Sequence, residues 1–330
     1  MDKIRWQHFE AVTCAALAAA PRNYLAEIEA NLVRDGVQAA IQRRDTSALV
    51  DFLIGASQFQ GVADRSAIAF VDKNGAVGAA DIHAALAATP CCPRLKNYWS
   101  FADCRLRKTA RCCSEPGHFL ACPLPSHPAR KGSLTVAAYS LYFFVRDVCN
   151  SDFIGWIDRR LSESDPGVDA PNRAVCMGRS LLEPLRNVYG IGEKVWSMAL
   201  ADLLLAADLN RERWVATGAG MVVIDSLLHN HLHRTGVLRR FGAEHAYGPR
   251  CYASGGCADL IRGLAARIDA RQFNATFPAD FPRFIQFAIW RLCSASERNV
   301  CNGNRIDDRY RCENMDCPAF AACDRLSLRE

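Results

Sequence analysis

No apolar run in this chain reaches about 18 residues without a charge, so no membrane-spanning segment is expected. Stretches with period-two alternation are few, which argues against a strand-built fold. There is no internal repeat and no low-complexity tract, which excludes repeat arrays and compositionally biased segments. Charge of one sign is in only mild excess. Lys plus Arg is 40 and Asp plus Glu is 35, a net of +5 that leans weakly toward a polyanionic partner. The 330 residues, 50% of them hydrophobic, suit about two domains with a sizeable core. MDKIRWQHFEAVTCAALAAAP at the N-terminus has a short alanine-rich run, but Asp2 and Glu10 flank it. An amphipathic helix explains it better than a secretory leader. A cytoplasmic protein with reduced thiols is expected.

Cysteine is abundant: 16 residues, clustered at 91–122 and 293–323. Clustering favours metal over the disulfide frameworks of short secreted chains. The C-terminal run is Cys301-x10-Cys312-x4-Cys317-x5-Cys323, with Cys293 as another candidate first ligand. Four thiolates near one another suit zinc or an iron–sulfur cluster. The N-terminal group holds six cysteines and His118. It offers a candidate second site, Zn or Fe–S, at Cys104, Cys112, Cys113 and Cys122. Eight Lys or Arg lie between Arg94 and Lys131, interleaved with Tyr98, Trp99, Phe101 and Phe119. That mixture suits a nucleic-acid surface or a solvated insert. His229, His231 and His233 imitate a metal motif. On a helix only His229 and His233 share a face, so they read as surface or DNA-facing histidines.

Helical spacing dominates the chain. It predicts helices over 4–20, 23–43, two within Leu49–Phe70, 133–148, 181–188, 193–207, 226–235, 257–271 and 281–293. Residues 163–175 read as a Pro/Asp/Gly linker. The fold class is all-α, organised as N-terminal helices (1–90), a Cys-rich basic insert (91–132), a helical domain (133–292) and a Cys-rich loop (293–330).

The segment VYGIGEKVWSMALADLL places Gly190 and Gly192 between two helical patterns, with Lys194 two residues on. Glycine permits a tight turn and close approach of another backbone. With the start of the next helix, such a turn suits a phosphate. A dinucleotide fingerprint would need a preceding strand and a glycine at 195, where Val195 stands. Lys194 lies on the first turn of an apolar helix, where the dipole and partial burial favour a nucleophilic amine. Asp225 follows Val222, Val223 and Ile224 at an expected helix N-cap. It is a cap, or a carboxylate fixed by one.

These two motifs together resemble the helix-hairpin-helix DNA glycosylase superfamily, endonuclease III included. Its turn reads G-x-G-x-K, its lysine attacks the sugar, and an aspartate after a Val-rich stretch is essential. The resemblance implies a two-lobed all-α glycosylase fold, Lys194 and Asp225 as catalytic residues, and Gly190 and Gly192 as DNA contacts. FLIGASQFQGVADRS adds Gln58 or Gln60 as the glutamine that enters the DNA stack. The family's C-x6-C-x2-C-x5-C run implies a [4Fe-4S] cluster on Cys301, Cys312, Cys317 and Cys323, although only the final spacing matches here. Trp196 beside the lysine and the long Lys194–Asp225 interval depart from the pattern. The implied partner is double-stranded DNA with a flipped damaged or modified base, met by a monomer associated with the nucleoid. The implied activity is a bifunctional glycosylase and AP lyase. A monofunctional enzyme using Asp225-activated water, and a non-catalytic metal-stapled DNA-binding protein, are the alternatives.

Overall fold

The computed structural model describes residues 2–57, 64–75, 77–88, 92–104, 106, 113–118, 122, 124, 133–303 and 305–329. Among the described residues every regular element is helical and there is no strand. The α-helices are α1 (Asp2–Ala18), α2 (Tyr24–Arg34), α3 (Val37–Gln42), α4 (Thr46–Ser57), α5 (Asp64–Asn74), α6 (Ala79–Ala88), α7 (Tyr98–Phe101) and α8 (Ser133–Phe143). They continue with α9 (Phe153–Ser164), α10 (Arg173–Leu185), α11 (Glu193–Ala206), α12 (Glu212–Gly220), α13 (Ser226–Arg234), α14 (Val237–Arg240), α15 (Cys257–Ala265) and α16 (Pro282–Cys293). None is long and apolar enough to cross a membrane.

The chain divides into two compact units. Unit 1 joins Met1–Ile28 to Val215–Glu330, and unit 2 is Glu29–Trp214. The four consecutive blocks expected from the sequence do not coincide with this division. The reason lies in α1, whose buried Phe9, Val12, Thr13, Ala16 and Leu17 recur at helical spacing. That stripe packs α1 against α14, α15 and α16, more than 200 residues along the chain. Helix α16 also packs on α13 and α15. In unit 2, α4 is central and packs on α3, α6, α8, α9 and α11.

Several expected spans change. The predicted 23–43 helix breaks at Gly36, whose φ of 72° is left-handed. Residues 163–175 are not a loose linker. Asp165 accepts from Arg173 at 2.7 and 2.8 Å and from Arg213 at 2.8 Å, which ties the end of α9 to the start of α10. Helix α10 runs through Pro184, which has no N–H for the Ser180 carbonyl. Arg160 donates to that oxygen instead, at 3.1 and 3.0 Å.

Candidate metal centres and catalytic residues

Helices α10 and α11 are joined by the expected turn. Gly190 takes φ 76°, which a side chain would resist, and Gly192 is the N-cap of α11. Arg186 closes the turn by donating to Glu193 at 2.6 and 3.0 Å. Each of the two glycines has a partner within the chain. Lys194 is exposed on the first turn of α11. The partial burial expected for it is not found, because the apolar face of α11 begins at Val195 and Trp196.

Asp225 is the N-cap of α13, as expected, and its Oδ1 accepts from the Leu228 amide at 2.8 Å. The Tyr252 hydroxyl bonds both the amide and the carbonyl of Ile224, at 2.9 and 3.2 Å, and fixes the residue before it. Burial pushes the Tyr247 phenol up, with Asp225 and Cys251 adding to the effect. Lys194 belongs to unit 2 and Asp225 to unit 1. Gln58 and Gln60 lie outside the described residues.

The histidines of α13 are the main correction. His229 and His231 are not surface residues, with 4% and 1% of their surface exposed. Residues two apart on a helix point about 200° apart. Each therefore meets a different group of thiols.

His229 faces Cys251, Cys257 and His245, and all four donor atoms lie within 4.8 Å of one another. His229 Nδ1 is 3.4 Å from Cys257 Sγ and 3.6 Å from Cys251 Sγ, and Cys257 Sγ is 3.6 Å from His245 Nε2. Burial, then His245 and His233, push the His229 imidazole down to about 4, so its ring is neutral at pH 7. Burial also raises the Cys257 thiol. Cys251 and Cys257 were not among the expected ligands. The signal was present as His245-x5-Cys251-x5-Cys257, but both lie outside the two dense cysteine runs.

His231 faces the other way. With Cys293 and Cys301 it forms a second buried group within 4.8 Å. Cys301, Cys312, Cys317 and Cys323 line one small cavity together with His231 and Arg234. The Cys301 thiol is lowered well below its ordinary value, first by the hydrogen bond from Cys293 and then by His231 and Arg234. Cys293, as the donor, is raised. Burial pushes Cys323 up to about 12. The loop is strapped to α13 by its backbone. Leu326 N donates to Arg234 O at 2.9 Å and Cys312 N to Arg325 O at 3.1 Å. Both groups thus offer Cys and His donors suited to metal ions.

The N-terminal cysteines give less. Cys92, Cys113 and Cys122 stand near enough to Cys104 to help raise its thiol, which burial pushes up to about 11. Among the described residues they form no group of three donors within 4.8 Å, and Cys112 lies outside those residues. In the basic stretch Arg94 pairs with Asp103 and Glu115, Tyr98 is buried and Trp99 is exposed. Comparison with known proteins gives no match: no family model, no curated protein and no solved structure is similar to this chain.

Proposed function

We propose that this chain is a DNA glycosylase with AP lyase activity, acting on double-stranded DNA that carries a flipped damaged or modified base. One observation carries the reading: the α10–α11 pair, turning at Gly190 and Gly192, with Lys194 exposed at the start of α11. An accessible amine at a helix N-terminus suits contact with a phosphodiester and attack on the sugar beside it. Asp225 adds support, as a half-exposed carboxylate held by its cap bond. The all-helical elements are consistent with the all-α class of the helix-hairpin-helix glycosylases.

In this reaction the Lys194 ammonium first gives up a proton, and Asp225 is the proposed catalytic carboxylate. The free amine attacks C1′, and the C1′–N bond breaks with its electron pair leaving on the base, which takes up a proton. The C1′–O4′ bond then opens, O4′ takes up a proton and Lys194 Nζ loses one, which leaves C1′ as a Schiff base to Lys194, from which β-elimination nicks the strand. Cys301, Cys312, Cys317 and Cys323 would hold a [4Fe-4S] cluster. The four cysteines line one small cavity and would supply its donor set, and Cys293 and His231 lie with Cys301 in one buried group. Bound there, the cluster would staple the C-terminal loop to α13.

The exposure of Lys194 favours one second reading, in which Asp225 activates water and Lys194 only grips phosphate. Base release from a panel of damaged and hypermodified duplexes separates the readings. Lys194→Gln should abolish strand nicking, and Asp225→Asn should lower base release by roughly 100-fold or more, with duplex binding kept. Base release that persists in Lys194→Gln makes the enzyme monofunctional. Binding without release from any duplex leaves a metal-stapled DNA-binding protein.

A further inference from the structure

We infer that His229, His245, Cys251 and Cys257 form a structural zinc site, separate from the cysteine-lined cavity and built to fix the helix that carries Asp225. Three independent features of unit 1 lead to it.

The first is geometry. With zinc–sulfur near 2.3 Å and zinc–nitrogen near 2.05 Å, a tetrahedral centre requires N···S edges of about 3.6 Å. Three of the four N···S distances here are 3.4, 3.6 and 3.6 Å, and the fourth is within 4.8 Å. Four donors within 4.8 Å of one another suit a single ion. A two-iron cluster with two histidines on one iron and two cysteines on the other would hold the pairs further apart.

The second is the support behind the ligands. A ligating histidine usually donates its other ring N–H to a carbonyl or carboxylate. His245 Nδ1 lies 2.6 Å from the Ala243 carbonyl, which leaves Nε2, 3.6 Å from Cys257 Sγ, with its lone pair available to a metal ion. His229, Cys251 and Cys257 are buried, and His245 is half-buried at the rim.

The third is the backbone between the thiols. Pro249–Tyr252 is a single 3-10 turn, and the chain then reverses before α15. A Cβ on Gly256 would stand 2.2 Å from the Arg250 carbonyl oxygen and 3.0 Å from that of Cys251. This packing admits only glycine and brings Cys251 and Cys257 to the same side. The turn is a knuckle that closes around the two sulfurs.

The site ties the first turn of α13 to the start of α15 and to the loop between them. His229 is four residues after Asp225, and its amide donates to the Asp225 carbonyl at 3.0 Å. A zinc ion here holds the turn whose cap is Asp225. The other face of α13, through His231, meets the second group. Soft thiolates with imidazole in a tetrahedron select zinc among the common divalent ions.

The test uses full-length protein purified in reducing buffer without chelators. Metal analysis should give one zinc per chain, independent of the iron content. Cobalt(II) loading should give the intense visible bands of a tetrahedral thiolate site. Cys251→Ser/Cys257→Ser should lose the zinc and the cobalt bands while any brown iron–sulfur absorbance persists. If that variant fails to fold, His245 serves instead. His245→Ala should weaken zinc binding by more than about 100-fold, whereas His245→Cys should restore it. Protein without zinc and without cobalt bands overturns the inference, as does zinc that survives in the double variant. Two fewer titratable thiols in protein prepared without reductant and then denatured with chelator would mark a disulfide and overturn it too. None of these readouts depends on glycosylase activity.

Discussion

Arg234 and Asp308 are a pair whose two halves should respond unequally to removal. Arg234 is 2% exposed, and its guanidinium donates to Asp308 at 2.6 Å and to the Leu326 carbonyl at 3.5 Å. The Asp308 side chain keeps 29% of its surface. Asp308→Ala therefore leaves a buried guanidinium without its counter-charge, which costs about 3–5 kcal/mol. Arg234→Met keeps most of the volume and leaves a carboxylate that reaches water. Its cost is one charged hydrogen bond, about 1.5 kcal/mol. Arg234→Met/Asp308→Leu should recover most of the loss, since apolar replacement of a buried pair is close to neutral. Urea midpoints of the metal-loaded proteins give the order, and a rank order does not require a two-state transition. The expected order is wild type, Arg234→Met, then Asp308→Ala, with the double variant above Asp308→Ala. An Arg234→Met midpoint below that of Asp308→Ala refutes the argument from burial.

Three further outcomes follow from particular contacts. Gly256→Ala forces a Cβ against the Arg250 carbonyl, so it should cost more than about 2 kcal/mol and lower zinc occupancy, read by melting and metal analysis. Asp165 is held well below its ordinary 3.8 by the hydrogen bonds from Arg173 and then Arg213. A depressed carboxylate adds stability that is present above its unfolded pKa and lost as pH falls through the folded one. Asp165→Asn should therefore lose about 3 kcal/mol at every pH from 8 to 5, with the gap closing only in strong acid. Arg160→Ala should leave the Ser180 carbonyl opposite Pro184 without its donor and destabilise unit 2 by about 1 kcal/mol. Hydrogen exchange along α10 reads this locally.

Much of the helical order was legible. Helix α16 was expected at 281–293 and found at Pro282–Cys293, because Phe284, Ile285, Ala288, Ile289 and Leu292 recur at helical spacing. Asp225 was legible as a cap because an N-cap is a local feature. The first metal group was not. Its ligands come singly from α13, a loop, a 3-10 turn and the start of α15, and only tertiary folding joins them. His229 and His231 misled for a related reason. The rule that i and i+2 face apart is correct, but it argues only against a shared site, and here each histidine has its own. Lys194 misled through composition. Its helix is apolar on nearly every position, yet the lysine falls on the one exposed stripe of the first turn.

The most direct measurement of the central claim is borohydride trapping. Purified protein is mixed with duplexes carrying oxidised, deaminated, alkylated or hypermodified bases and abasic sites, then reduced. The account predicts a covalent protein–DNA adduct on at least one duplex that disappears in Lys194→Gln and keeps its dependence on Asp225. An adduct that persists in Lys194→Gln, or no adduct on any duplex, contradicts the assignment of Lys194 as the nucleophile.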